Sequence, residues 1–149
     1  MRFLKFNPVN VNRLFLPAPV ALNRILGIVR IILGLLLIYH GQEVFHSDIM
    51  ATYMTWDTFQ SSMAKFMVYA GKSTELLAGI LLLMGFLTRV GAILIIGTFC
   101  YITFFVGGGR FWYEDQHPFM FALFGLLFVF TGPGAWSLDS IVFGKKDPS

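Results

Sequence analysis

The stretch that most constrains the fold is residues 63 to 87, MAKFMVYAGKSTELLAGILLLMGFL, an apolar run with Lys72 and Glu75 near its middle. About 20 mostly apolar residues suffice for one helix to cross the hydrocarbon of a bilayer. Lys72 and Glu75 would then sit where lipid cannot solvate them. An ionisable residue at the centre of a membrane helix costs about 3 kcal/mol on insertion scales, so it needs a partner or a water-lined cavity. The rest of the chain must supply one.

Composition agrees with a membrane location. Apolar residues make up 56% of the 149 and charged residues 13%, about half the usual share in soluble domains. A soluble chain of this length could not hide so much apolar surface. The net charge of +3 is modest and the bases form no run, which argues against a nucleic-acid footprint. Cys100 is the single cysteine, which excludes an intramolecular disulfide, a CxxC pair and a cysteine-built zinc site.

The spans are read in order. Residues 1–19 are a basic, proline-broken leader with Arg2, Lys5 and Arg13, unlike a signal peptide, and no processing is expected. The first span is 20–45, where Gly27, Gly34 and Gly41 recur every seven residues and let another helix approach on that face. Residues 46–62 are a loop or interfacial segment, with Tyr53 and Trp56 suited to headgroup level. The central stretch is the second span, and Thr88 and Arg89 are read as a tight turn into a third, antiparallel span at 90–106. After the GGGR hinge and an aromatic, acidic loop comes a short fourth span, 117–131, ended by GPG. The stretch WSLDSIVF is expected to form a short interfacial helix with Ser137 as its N-cap. The fold class is therefore an all-α, antiparallel bundle of four transmembrane helices over 20–144, followed by a polar tail, 145–149. Lys and Arg in the short connections place both termini on the cytoplasmic side.

Depth arithmetic suggests partners for the buried charges. Arg30 lies ten residues into the first span, roughly 15 Å, and Glu75 twelve residues into the second from the opposite side, roughly 18 Å. In a core about 30 Å thick these depths nearly coincide, which predicts an Arg30–Glu75 ion pair with Lys72 able to share the carboxylate. His40, Glu43 and His117, at the outer ends of their spans, would outline a polar pocket. A buried ion pair of this kind can equally serve only to lock helix register. A metal held by His40, Glu43 and His117 lacks a full ligand set and is not expected. The GGGR hinge lacks the GK[ST] ending of a phosphate loop.

The combination of Arg30, Gly34, His40 and Gly41, of Glu75 followed by LLAGILLLMGFLTR, and of the closing GPGAWSLD resembles the DoxX family over roughly residues 22–144. The resemblance implies a small four-helix bacterial inner-membrane protein. Relatives are associated with redox tasks, including thiosulfate:quinone oxidoreductase and quinol-oxidase subunits, and with oxidative or thiol stress. By motif, Arg30, His40 and Glu75 carry over. Many members have a lysine soon after the HG, where this chain has Gln42, Glu43 and Val44, so the outward cationic site is either altered or supplied by Lys72.

Three functions compete. The first is a quinone-linked redox component, such as a subunit of a quinone-linked oxidoreductase. In it Arg30, His40, Lys72 and Glu75 would be the reactive residues, with Glu43 and His117 lining the quinone site. No haem or flavin motif is evident, so electrons would come from a soluble or membrane redox partner or from a substrate. The second is a binder or carrier of a small ligand in the same pocket. The third is a non-catalytic subunit that anchors a soluble partner. The lipid bilayer is the expected surrounding, a homo-oligomer is compatible with each reading, and nucleic acid is not.

Overall fold

A computed structural model of the chain describes residues 21–59 and 61–144. The expected leader at 1–19 and tail at 145–149 lie outside the described residues. Among those described there is no strand. Helix α1 (Leu22–Gly41) continues through a 3-10 turn, Gln42–Phe45, into the short α2 (Ser47–Tyr53). Then come α3 (Ala64–Met84), α4 (Thr88–Tyr101) with a π-helical turn at Ile102–Val106, α5 (Gln116–Thr131) and α6 (Leu138–Val142). Three stretches, Leu22–Phe45, Ala64–Met84 and Thr88–Val106, are long and apolar enough to cross a membrane, while α5 is apolar but shorter.

Helix α1 packs along α3, α3 against α4, and α4 against α5. The glycines set these approaches. A Cβ on Gly34 would meet the backbone nitrogen of Leu83 at 2.6 Å, and one on Gly79 that of Ile38 at 2.8 Å. Gly41 closes on the backbone of Leu76, so α1 and α3 run antiparallel. Gly125 does the same for α5, 2.8 Å from the carbonyl of Ala92. Gly34 and Gly41 thus seat another helix as their spacing predicts, whereas Gly27 closes on the backbone of Ala135, in the turn before α6. The core that the helices enclose is apolar, with Leu37, Leu82, Ala92, Ile95 and Phe128 nearly or fully buried.

The turn between α3 and α4 lies earlier than expected. Gly85 is left-handed (φ 62°) and ends α3 in a Schellman motif, with Phe86 N–H donating to the Leu81 carbonyl at 3.0 Å. Thr88 and Arg89 already belong to α4. Its start is capped from a distance: the Asp139 carboxylate accepts from Leu87 N at 2.7 Å and Thr88 N at 2.9 Å. Ser137 caps α6 as expected, its Oγ accepting from Ser140 N at 3.2 Å.

The expected Arg30–Glu75 pair is not formed. Arg30 is fully buried, and its guanidinium points towards the start of α1. There Nε donates to the Pro133 carbonyl at 2.8 Å, Nη1 to Leu82 and, at 3.1 Å, to Leu83. Nη2 donates to Ala135 at 3.2 Å and Trp136 at 2.8 Å. A guanidinium has five N–H groups, and these five carbonyls take them all. The physical reason is register. Gly41 is the α1 residue level with Leu76, next to Glu75, and Arg30 lies eleven residues away, roughly 16 Å along the axis. Span ends alone do not fix that offset, and a long side chain reaches along its helix.

Candidate functional site

The buried carboxylate of α3 finds its cation one turn away. Lys72 Nζ lies 3.1 Å from Glu75 Oε2, as the i, i+3 spacing allows. The same ammonium is 2.9 Å from Glu43 Oε2, brought in by the 3-10 turn that ends α1. Tyr53, at the end of α2, donates its hydroxyl to Glu43 Oε2 at 2.6 Å, and its ring faces Lys72 Nζ at 4.9 Å. One ammonium therefore serves two carboxylates, so the trio carries a net negative charge when both are ionised. The Tyr53 phenol is pushed above its ordinary value, first by burial and then by its hydrogen bond to Glu43.

His40 flanks this trio on the α1 side, its Nδ1 4.0 Å from Glu43 Oε1. Its ring meets that of His117 edge-on at 6.1 Å, and His117 in turn meets Phe121 at 5.1 Å. The structure thus brings together His40, Glu43, Lys72, Glu75 and, through His40, His117. Arg30 alone among the expected site residues is elsewhere. No three metal-ligating side chains gather closely enough for an ion among the described residues.

Beside the trio is a cavity of about 200 Å³ between the 46–59 segment, α3 and the end of α4. Tyr53, Trp56, Gly71, Lys72, Glu75 and Tyr101 line it. Its roof is fixed by a small core of its own, in which Met50 is fully buried and Phe59 nearly so. The π turn at Ile102–Val106 forms part of the wall, and the carbonyl of Val106 accepts from Thr58 Oγ1 at 3.3 Å. Such turns recur at functional sites because they displace side chains from the helical register. Gly71 faces open space: a Cβ there would meet nothing within 4 Å.

Among the described residues, polar groups of the wall remain to meet a ligand, including those of Thr98 and Glu75. Thr74, Thr103 and Thr131 each donate to the carbonyl one turn back, at 2.7 to 2.8 Å. Thr98, which lines the cavity, has no such bond among the described residues. Glu75 receives Lys72 on Oε2, and no described residue donates to its Oε1. Sequence reasoning missed the roof and this wall. Tyr53 and Trp56 read as headgroup aromatics, and nothing in their spacing joins them to Lys72.

Several apolar helices with a partly buried ionic trio at one end define a multi-pass, integral membrane protein. The chain belongs to the DoxX family, whose family model, described as DoxX, matches residues 25–108. The match takes in Arg30, His40, Glu43, Lys72 and Glu75 and ends before α5, which carries His117. No curated protein and no solved structure matches the chain.

Proposed function

We propose that the chain is a quinone-linked redox component of a bacterial inner membrane, with the head ring of a quinone received in the cavity beside Glu75. The observation that carries this reading is a continuous polar series ending in an apolar slot. His40, Glu43, Lys72 and Glu75 follow one another at contact distances, and Glu75 borders the cavity. A dry cavity of about 150 Å³ admits a benzene ring, so this one of about 200 Å³ suits a single substituted ring. Thr98 offers a hydroxyl to a ring oxygen, and Glu75 Oε1 accepts from a reduced ring. Proton-coupled redox chemistry needs a titratable group within hydrogen-bond reach of the ring oxygens. Glu75 holds that proton, and His40, at the exposed end of the series, exchanges it with water. Electrons pass to or from a redox partner.

Four crossings with both termini cytoplasmic fit this assignment. Arg24 and Arg89 lie at the end of the bundle where α1 and α4 begin, whereas Glu43, Asp48, Asp57, Glu114 and Asp115 gather towards the other. The polar series then opens to the outer side.

Purified protein titrated with a short-tailed quinone should quench Trp56, which lines the cavity, with Trp56→Phe as the control. Gly71→Leu should abolish the quench, and Glu75→Gln should change its pH dependence. A quench that survives in Gly71→Leu, or no binding by the parent protein, would overturn the assignment.

A further inference from the structure

The opposite end of the bundle has a second cavity, independent of the first. It measures about 410 Å³ and lies among the start of α4, the turn after α5 and α6. We propose that it binds the headgroup of a zwitterionic phospholipid with a primary ammonium, Arg89 taking the phosphate and Asp139 the ammonium.

Arg89 and Asp139 both line the cavity, yet among the described residues they form no ion pair with each other. Arg89 is exposed and spends only Nε, on the Val129 carbonyl at 3.1 Å. Four of the five guanidinium N–H groups are left, in the planar fork that matches a phosphate. Asp139 uses one lone pair on each oxygen to hold the amides of Leu87 and Thr88. Each carboxylate oxygen can accept again. Thr88, on the same wall, has its Oγ1 buried without a hydrogen-bond partner among the described residues. Among the described residues, a cation and an anion with spare hydrogen-bonding capacity face the same space without pairing with each other. The buried Arg30 guanidinium also acts on Asp139, but its five N–H groups are all taken by carbonyls.

The surroundings identify a lipid as the source. The cavity sits at helix ends, where a bilayer's headgroups lie. Trp136, Ile141 and Phe143, 63%, 77% and 64% exposed, form an apolar rim on and beside α6, suited to the boundary between headgroups and acyl chains. Charge sets the headgroup class. A purely anionic headgroup would satisfy Arg89 but offer the Asp139 carboxylate at most a neutral hydroxyl, a weaker donor than an ammonium. A choline headgroup carries no N–H for the carboxylate to accept. An ethanolamine-type headgroup satisfies both.

The test is retention of lipid by the full chain, delipidated in mild detergent and offered ethanolamine, choline and glycerol phospholipids of matched acyl chains, read by native mass spectrometry. The parent protein should retain the ethanolamine lipid about tenfold over the other two, the equivalent of one charge-assisted hydrogen bond. Arg89→Gln, at an exposed position, and Asp139→Asn, which keeps a capping side chain, should each bring the ratio close to one. Thermal melting of both variants reports whether they are folded, and Arg89→Gln alone decides if Asp139→Asn is not. Equal retention of the three lipids, preference for the glycerol lipid, or full preference persisting in a folded variant would overturn the proposal.

Discussion

Arg30 Nη2 donates to the carbonyl of Trp136 at 2.8 Å, joining residues 106 positions apart in sequence. This bond and its four companions make Arg30 the clamp that fixes the segment after α5 against α1 and the end of α3. Arg30→Met should therefore be a stability mutation. Leaving a buried carbonyl unpaired costs about 1–3 kcal/mol. With several exposed at once, a fall in melting temperature of at least about 10 °C is expected. Arg30→Lys should rescue little, because an ammonium has only three N–H groups. A folded Arg30→Met protein that melts with the parent would contradict the clamp.

Lys72→Met should destabilise by about 3–5 kcal/mol, since it leaves two carboxylates facing each other without a cation. Glu75→Gln in the same chain should recover part of that loss. A double-mutant cycle measures the coupling, and additive effects of the two changes would mean that the pair is not energetically joined.

Glycines at two places on α3 predict opposite outcomes. Gly79→Leu would drive side-chain atoms into the backbone of Ile38 and should prevent assembly of α1 with α3. Gly71→Leu meets open space and should leave the melting temperature nearly unchanged while filling the cavity. Comparing expression, monodispersity and ligand binding of the two variants tests both expectations.

The Tyr53 phenol gives a pH prediction. Its raised value in the folded protein means that folding favours the protonated form. The stability that this lends is fully present below about pH 10, the value of free tyrosine, and is lost as pH rises through the folded value. The melting-temperature difference between the parent and Tyr53→Phe should stay constant from neutral pH to about pH 10 and shrink above it. A difference that grows in alkali would reverse the assignment.

Much of the bundle was legible because lipid imposes simple rules on length and spacing. Gly34 and Gly41 announced a close helix contact, and both make one with α3. Lys72 and Glu75 announced a neighbouring pair by their spacing. His40 and Glu43 were correctly expected near the same end. The partner of Arg30 was not legible, because five backbone carbonyls have no sequence signature. They come from the end of α3 and from a turn more than a hundred residues away. Gly85 carried a usable signal for the end of α3, but the reading favoured Thr88 and Arg89. The cavity escaped because its roof is a loop. The link from Tyr53 to Glu43 depends on how the chain folds back after α1, which no periodicity encodes.

The clamp at Arg30 also has a cost in time. A ribosome working at about 5–20 residues per second needs roughly 5–20 s to extend the chain from Arg30 to Pro133, 103 positions on. The carbonyls of Leu82 and Leu83 follow Arg30 by 52 and 53 positions, about halfway through that interval, and those of Pro133, Ala135 and Trp136 come only at its end. Until the segment after α5 is made, the guanidinium of α1 has at most two of its five acceptors, so the full clamp is among the last contacts of the bundle to form.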